Sequence, residues 1–151
     1  MYDAIAKGYD ELYGKEQEAK LQKIAHVLKG RILDIGAGTG IVAKHFKHVT
    51  SLDPSAEMLK YASGKKVIGN AEHLPFKPGS FDTIVSLTAL HHTHIDAVIK
   101  EIKRMKAKNL AFSILKKSKD CKEIVKKLKH AFAMEEIDEE KDILLVKEFK
   151  D

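Results

Sequence analysis

The chain has 151 residues, 44% of them hydrophobic and 32% charged, with a net charge of +5. That length suits one domain with a substantial core, and no apolar run approaches the roughly 20 residues needed to span a bilayer. The single Cys121 excludes an internal disulfide and a cysteine-based zinc knuckle.

The opening residues carry both signs of charge and lack an apolar signal-peptide core, so the expected location is cytoplasmic, with no membrane partner. Lysine and glutamate are plentiful while glutamine and asparagine number two each, a bias typical of thermophile proteins. The charge is uneven: residues 100–130 hold 12 Lys/Arg against 3 Asp/Glu, and residues 133–151 hold 3 against 8. Such a basic segment before an acidic tail admits nucleic-acid binding, self-association as a homodimer, or two solvated faces.

In chain order, Ala4, Ile5, Tyr9, Leu12, Tyr13, Leu21, Ile24, Ala25 and Leu28 recur at helical spacing with a break near Gly14. This predicts two helices ending before Gly30. An alternation follows. "RILDI" reads as a buried strand, "GIVAKHFKH" as a helix, "VTSLD" as a strand, and "PSAEMLKYA" as a helix capped by Ser55. "KVIGN" and "FDTIVSL" are strands, and "THIDAVIKEIKRM" is a helix with Thr93 and Asp96 as a capping pair. "NLAFSIL" is a strand, and "SKDCKEIVKKLKHAF" is a helix burying Ile124, Val125, Leu128 and Phe132. The last stretch reads as an antiparallel pair turning near Glu140 and Lys141. Strands separated by helices specify a doubly wound α/β domain with a mostly parallel, seven-stranded sheet and an antiparallel C-terminal strand.

The turn after the first strand, "DIGAGTGI", places Gly36, Gly38 and Gly40 where an open α/β sheet binds ligands. A dinucleotide turn reads G-x-G-x-x-G, whereas here Ile41 stands where that pattern requires its last glycine. Asp34 precedes the turn, a carboxylate that repels a pyrophosphate and suits an ammonium group. Asp53 ends the second strand, where a carboxylate accepts hydrogen bonds from ribose hydroxyls. A ribose, an ammonium and no phosphates describe S-adenosylmethionine better than NAD or ATP.

"LDIGAGTG", "SLDPSAEML" and "GNAEHLPFKPGSFDTIVSLTALHH", in that order, resemble the class I S-adenosylmethionine-dependent methyltransferases. The closest likeness is to the type 11 group that includes ubiquinone and menaquinone biosynthesis enzymes, and it runs from Arg31 to Met105. The resemblance implies a Rossmann-like methyltransferase fold filling residues 1–151, with 1–29 as a helical lid and 30–151 as the sheet and cofactor-binding core. It implies that Asp34, Gly36, Ala37, Gly38 and Gly40 hold the methionine portion and Asp53 the ribose. Pro54 follows the family pattern, and Met58 would lie near the adenine. Asn70 and Ala71 occupy the adenine-reading position, with Asn70 a departure from the usual Asp. Ser86 and Leu87 would line the methionine chain, and Tyr9, with Tyr2 or Tyr13, would cover it.

His91 and His92, just past the fourth strand, are the candidate catalytic residues, one of them as general base. A metal site from these and His73 is not expected, because no carboxylate accompanies them at ligand spacing. "SLTALHH" lacks the N/D-P-P-Y/F pattern of amino-adenine methyltransferases, and Cys121 lies in the wrong element for cytosine C5 methylation. The expected reaction is methyl transfer from S-adenosylmethionine to a small-molecule acceptor. The alternatives are a tRNA acceptor drawn by the Lys-rich helices of 100–129, a protein acceptor at an open site, and a non-catalytic scaffold or activating subunit.

Overall fold

A computed structural model describes residues 14–150. Tyr2, Tyr9 and Tyr13, and the first of the two N-terminal helices, lie outside the described residues. Helix α1 covers residues 14–24 as far as it is described, and a 3-10 turn, Ala25–Val27, extends it. Gly14 is helical, so it does not break the pattern where the periodicity lapses.

Seven strands follow: β1 Ile32–Ile35, β2 Val49–Asp53, β3 Lys65–Ile68, β4 Thr83–Leu87, β5 Asn109–Leu115, β6 Glu135–Asp138 and β7 Asp142–Lys147. Between them lie α2 Ile41–His45, α3 Ala56–Leu59, a 3-10 turn at Leu90–His92, α4 Ile95–Met105 and α5 Cys121–Phe132. The sheet order is β3-β2-β1-β4-β5-β7-β6. β1 pairs in parallel with both β2 and β4, and β7 alone runs antiparallel to its neighbours. The expected α/β sheet with one antiparallel C-terminal strand is therefore what forms. Strand order reverses beside β1, which places the ligand crevice at the carboxyl ends of β1 and β4.

The central strands are buried on both faces, and their side chains alternate between two cores. Leu33, Ile35, Ile84 and Phe112 point into a core shared with Val98, Ile102, Ile124, Leu128 and Phe132 of α4 and α5. Ile32, Val85, Ala111 and Leu144 point the other way, onto Leu21, Ile24, Val27 and Leu28. The segment expected as a lid is thus, from Leu21 onward, part of the core. Among its described residues, those between Gly14 and Lys20 border the crevice.

Two helix ends contrast. Ser55 caps α3 as expected, its Oγ accepting from the Met58 amide at 3.2 Å. The Thr93–Asp96 capping pair does not form. His94 is the N-cap of α4, and the Thr93 hydroxyl donates to the Leu90 carbonyl at 2.7 Å instead. Glu72 supplies the missing acceptor, its Oε2 taking the His94 amide at 3.0 Å. The acidic partner comes from another loop.

The Lys-rich helices α4 and α5 cover one face of the sheet, with Lys100, Lys103, Lys122, Lys126 and Lys129 exposed. No helix among the described residues is long and apolar enough to cross a membrane.

Candidate cofactor and methyl-acceptor site

An open cleft lies beyond the ends of β1, β4 and β5. Its wall includes Asp34, Gly36, Ala37, Gly38, Gly40, Met58, Leu87, His91 and His92 from the expected set.

The glycine turn owes its composition partly to contacts within the protein. Gly36 and Gly40 have φ of 70° and 84°, a region that favours glycine. A Cβ on Gly36 would stand 2.5 Å from the Ala89 Cβ, and one on Gly40 would stand 2.5 Å from the Ala62 Cβ. Neighbouring chain, not a ligand, forbids those two side chains. Gly38 differs, since a Cβ there would meet only the Met58 methyl, at 3.6 Å.

Four amides of this turn are committed. Gly36 and Ala37 both donate to the Leu52 carbonyl, at 2.8 and 2.9 Å, and Gly40 donates to the Ala37 carbonyl at 3.0 Å. Gly38 donates to Asp53 Oδ2 at 2.9 Å. A phosphate would find these four donors taken, whereas a phosphate-binding turn presents its amides to the ligand.

Asp34, at the end of β1, is buried against the turn and reaches the cleft wall. Its carboxyl is pushed well above the usual carboxylate range, chiefly by burial and further by the charge of Asp53. Asp53 sits at the end of β2, its Oδ1 accepting from the Ser55 amide at 2.9 Å. Each Asp53 oxygen therefore holds one backbone amide and retains a second lone pair for a ligand hydroxyl. Of the two carboxylates, Asp34 lines the cleft and Asp53 stands behind the turn.

The remaining expected residues are more dispersed. Pro54 is exposed beside Asp53, and Asn70 is exposed beyond β3, bridged to His73. Ala71 is buried in the core. Ser86 does not line the cleft. It is fully buried, and its hydroxyl donates to the Ile35 carbonyl at 2.7 Å, tying β4 to β1. Leu87, next along the strand, points to the opposite face and reaches the cleft wall.

On the acceptor side the His91 and His92 rings lie 3.8 Å apart, tilted by 45°. Burial, then the neighbouring His92, hold the His91 imidazole below its ordinary value, and Asp142 partly offsets this. His91 is therefore neutral at neutral pH and able to accept a proton. Among the described residues no three of His, Cys, Asp and Glu gather closely enough to hold a metal ion.

Beside the histidines stands a polar cluster that sequence reasoning missed. Lys20 of α1 pairs with Asp142 of β7 at 3.1 Å, both side chains almost wholly buried. Thr88 joins them, its hydroxyl donating to Asp142 Oδ2 at 2.9 Å and lying 3.1 Å from the Ser113 hydroxyl. Its backbone adopts φ of 53°, uncommon for a β-branched residue. The available signal was a lone acidic residue heading the apolar run "DILLV". Its partner on α1 carries no motif.

A family model for the methyltransferase domain matches residues 33–112. The chain belongs to that family. An uncharacterised protein of Methanocaldococcus jannaschii is 38% identical over 113 residues, covering 69% of this chain and 45% of that protein. The demethylmenaquinone methyltransferase of Thermotoga maritima is 34% identical over 103 residues, covering 56% and 45% respectively. This methyltransferase chain spans about half the length of the curated relatives it matches. Among solved structures, a Thermotoga maritima protein described as an S-adenosylmethionine-dependent methyltransferase and possible histamine N-methyltransferase shares the fold. It superposes with a TM-score of 0.72 at 19% identity, over 99% of this chain and 98% of that one.

Proposed function

We propose that this domain transfers a methyl group from S-adenosylmethionine to a small-molecule acceptor. The observation that carries the reading is the acidic pair at a glycine turn four of whose amides are already committed. Asp34 would hold the cofactor's ammonium and Asp53 its ribose hydroxyls, with Gly38 and Met58 beside them. Asn70 would face the adenine, where its amide oxygen can accept from the amino group. When bound, the cofactor supplies an electrophilic methyl on a sulfonium.

The chain's own part is to position the acceptor and to take its proton where methylation releases one. The neutral His91, on the cleft wall beside His92, suits that proton transfer. The small-molecule assignment draws on the Thermotoga maritima relative, whose name states a demethylmenaquinone substrate. A tRNA acceptor is the second reading, because Lys116 and Lys117 bring the basic segment to the cleft wall. Binding of tRNA that weakens steeply with salt would favour it.

Calorimetric titration with S-adenosylhomocysteine tests the proposal. Micromolar binding by the native protein, weakened at least tenfold in Asp53→Asn, is the expected result. No binding to the native protein would overturn it and favour the scaffold reading.

A further inference from the structure

Two buried polar atoms on the cleft wall have no hydrogen-bond partner among the described residues: Nδ1 of His91 and Oδ1 of Asp142. Their chemistry is complementary, since a neutral imidazole nitrogen can carry a proton and an ionised carboxylate oxygen only accepts. Leaving both unsatisfied is costly, and because they do not bond each other directly, a single bridging water satisfies both.

The carboxylate is held for this purpose from its other side. Oδ2 of Asp142 takes the Lys20 ammonium at 3.1 Å and the Thr88 hydroxyl at 2.9 Å. Thr88 is itself fixed, its amide donating to the Ser113 hydroxyl at 2.8 Å. Oδ1 is the oxygen left over.

We infer that Asp142 is a positioning residue for His91, accepting its Nδ1–H through a bridging water and leaving Nε2 as the basic nitrogen toward the methyl acceptor. This rests on the methyl-transfer reading. The acceptor class that needs such a pair is a hydroxyl or amine that loses a proton on methylation. That proton moves to Nε2, and Asp142, remaining ionised, stabilises the imidazolium so formed. Asp142 thus opposes the burial and the His92 repulsion that hold the His91 imidazole down. The other titratable groups facing the pair are Lys20 from α1, His92 from the same 3-10 turn, and Cys121 at the start of α5.

Nitrogen-15 NMR of the full chain reads the tautomer directly, with the His91 signals assigned by their loss in His91→Gln. The native protein is expected to carry its proton on Nδ1, and an Nε2–H tautomer would overturn the inference. In Asp142→Asn the His91 titration should move to still lower pH and the Nδ1–H preference should weaken. An unchanged tautomer and titration in that variant also overturns it. Should Asp142→Asn fail to fold, the native tautomer alone decides. Titration of the native protein with S-adenosylhomocysteine tests the methyltransferase reading separately, because the tautomer is measured without cofactor.

Discussion

The charge on Asp53, at the end of β2, makes the buried Asp34 carboxyl harder to ionise, across the glycine turn that leads from β1 into α2. Burial and this repulsion raise the Asp34 carboxyl in the folded protein above its unfolded value. Ionising it therefore costs stability. The cost is absent below about pH 4, where the group is protonated folded or unfolded, and grows as pH rises through the raised folded value. Asp34→Asn should gain about 1 kcal/mol at pH 7, roughly 2–4 °C in Tm, and nothing near pH 3.5. Thermal unfolding across pH checks this. The same variant should lose S-adenosylhomocysteine affinity, so a gain in both properties would contradict the assignment of Asp34 to the ligand ammonium.

Gly40→Ala should be among the most damaging small substitutions. The added Cβ would meet the Ala62 Cβ at 2.5 Å and its Cα at 3.0 Å, on a backbone with φ of 84°. Backbone contact leaves no flexible side chain to move aside. A loss of about 2–4 kcal/mol is expected from denaturant unfolding. Gly38→Ala, with 3.6 Å of clearance to Met58, should lose less.

Much of this arrangement was legible in local patterns, and the exceptions share a cause. Alternating apolar runs marked the strands, and Ser55 announced the α3 cap, because each depends on residues adjacent in sequence. Gly36, Gly38 and Gly40 announced a special turn, yet the reason for two of them lies in Ala89 and Ala62, which only folding brings near. Thr93 and Asp96 match a capping pattern, but Glu72 reached the His94 amide from another loop. Ser86 and Leu87 were read as equivalent neighbours, although consecutive strand residues face opposite sides. The Lys20–Asp142 pair joins the two ends of the described chain, beyond the range of any local motif.

Glu101 should make part of the stability acid-sensitive. Its carboxylate binds Arg104 at 2.7 Å and accepts the Leu74 amide at 2.7 Å, while Arg104 donates to the Phe76 and Leu74 carbonyls. Arg104, foremost, and the Leu74 amide hold the Glu101 carboxyl below its ordinary value. The resulting stability is present above about pH 4.3 and is lost as pH falls through the lowered folded value. Glu101→Gln should therefore be less stable than the native protein at pH 7 by about 1 kcal/mol, with the two converging near pH 3. Denaturant midpoints at both pH values measure the difference.

Lys20→Met should be costlier than its conservative shape suggests. The variant removes an ammonium whose partner, Asp142, is fully buried, leaving a buried carboxylate without its counter-ion. Removing one member of a buried ion pair typically costs about 3–5 kcal/mol, most of it the penalty of the charge left behind. Lys20→Met combined with Asp142→Leu removes both charges, and should recover at least half of that loss. Urea unfolding of the native protein, both single variants and the double variant completes the cycle. If the double variant is no more stable than Lys20→Met, the loss in that variant does not come from the stranded carboxylate, and the packing of the Lys20 stem beside Leu21 and Ile24 accounts for it instead.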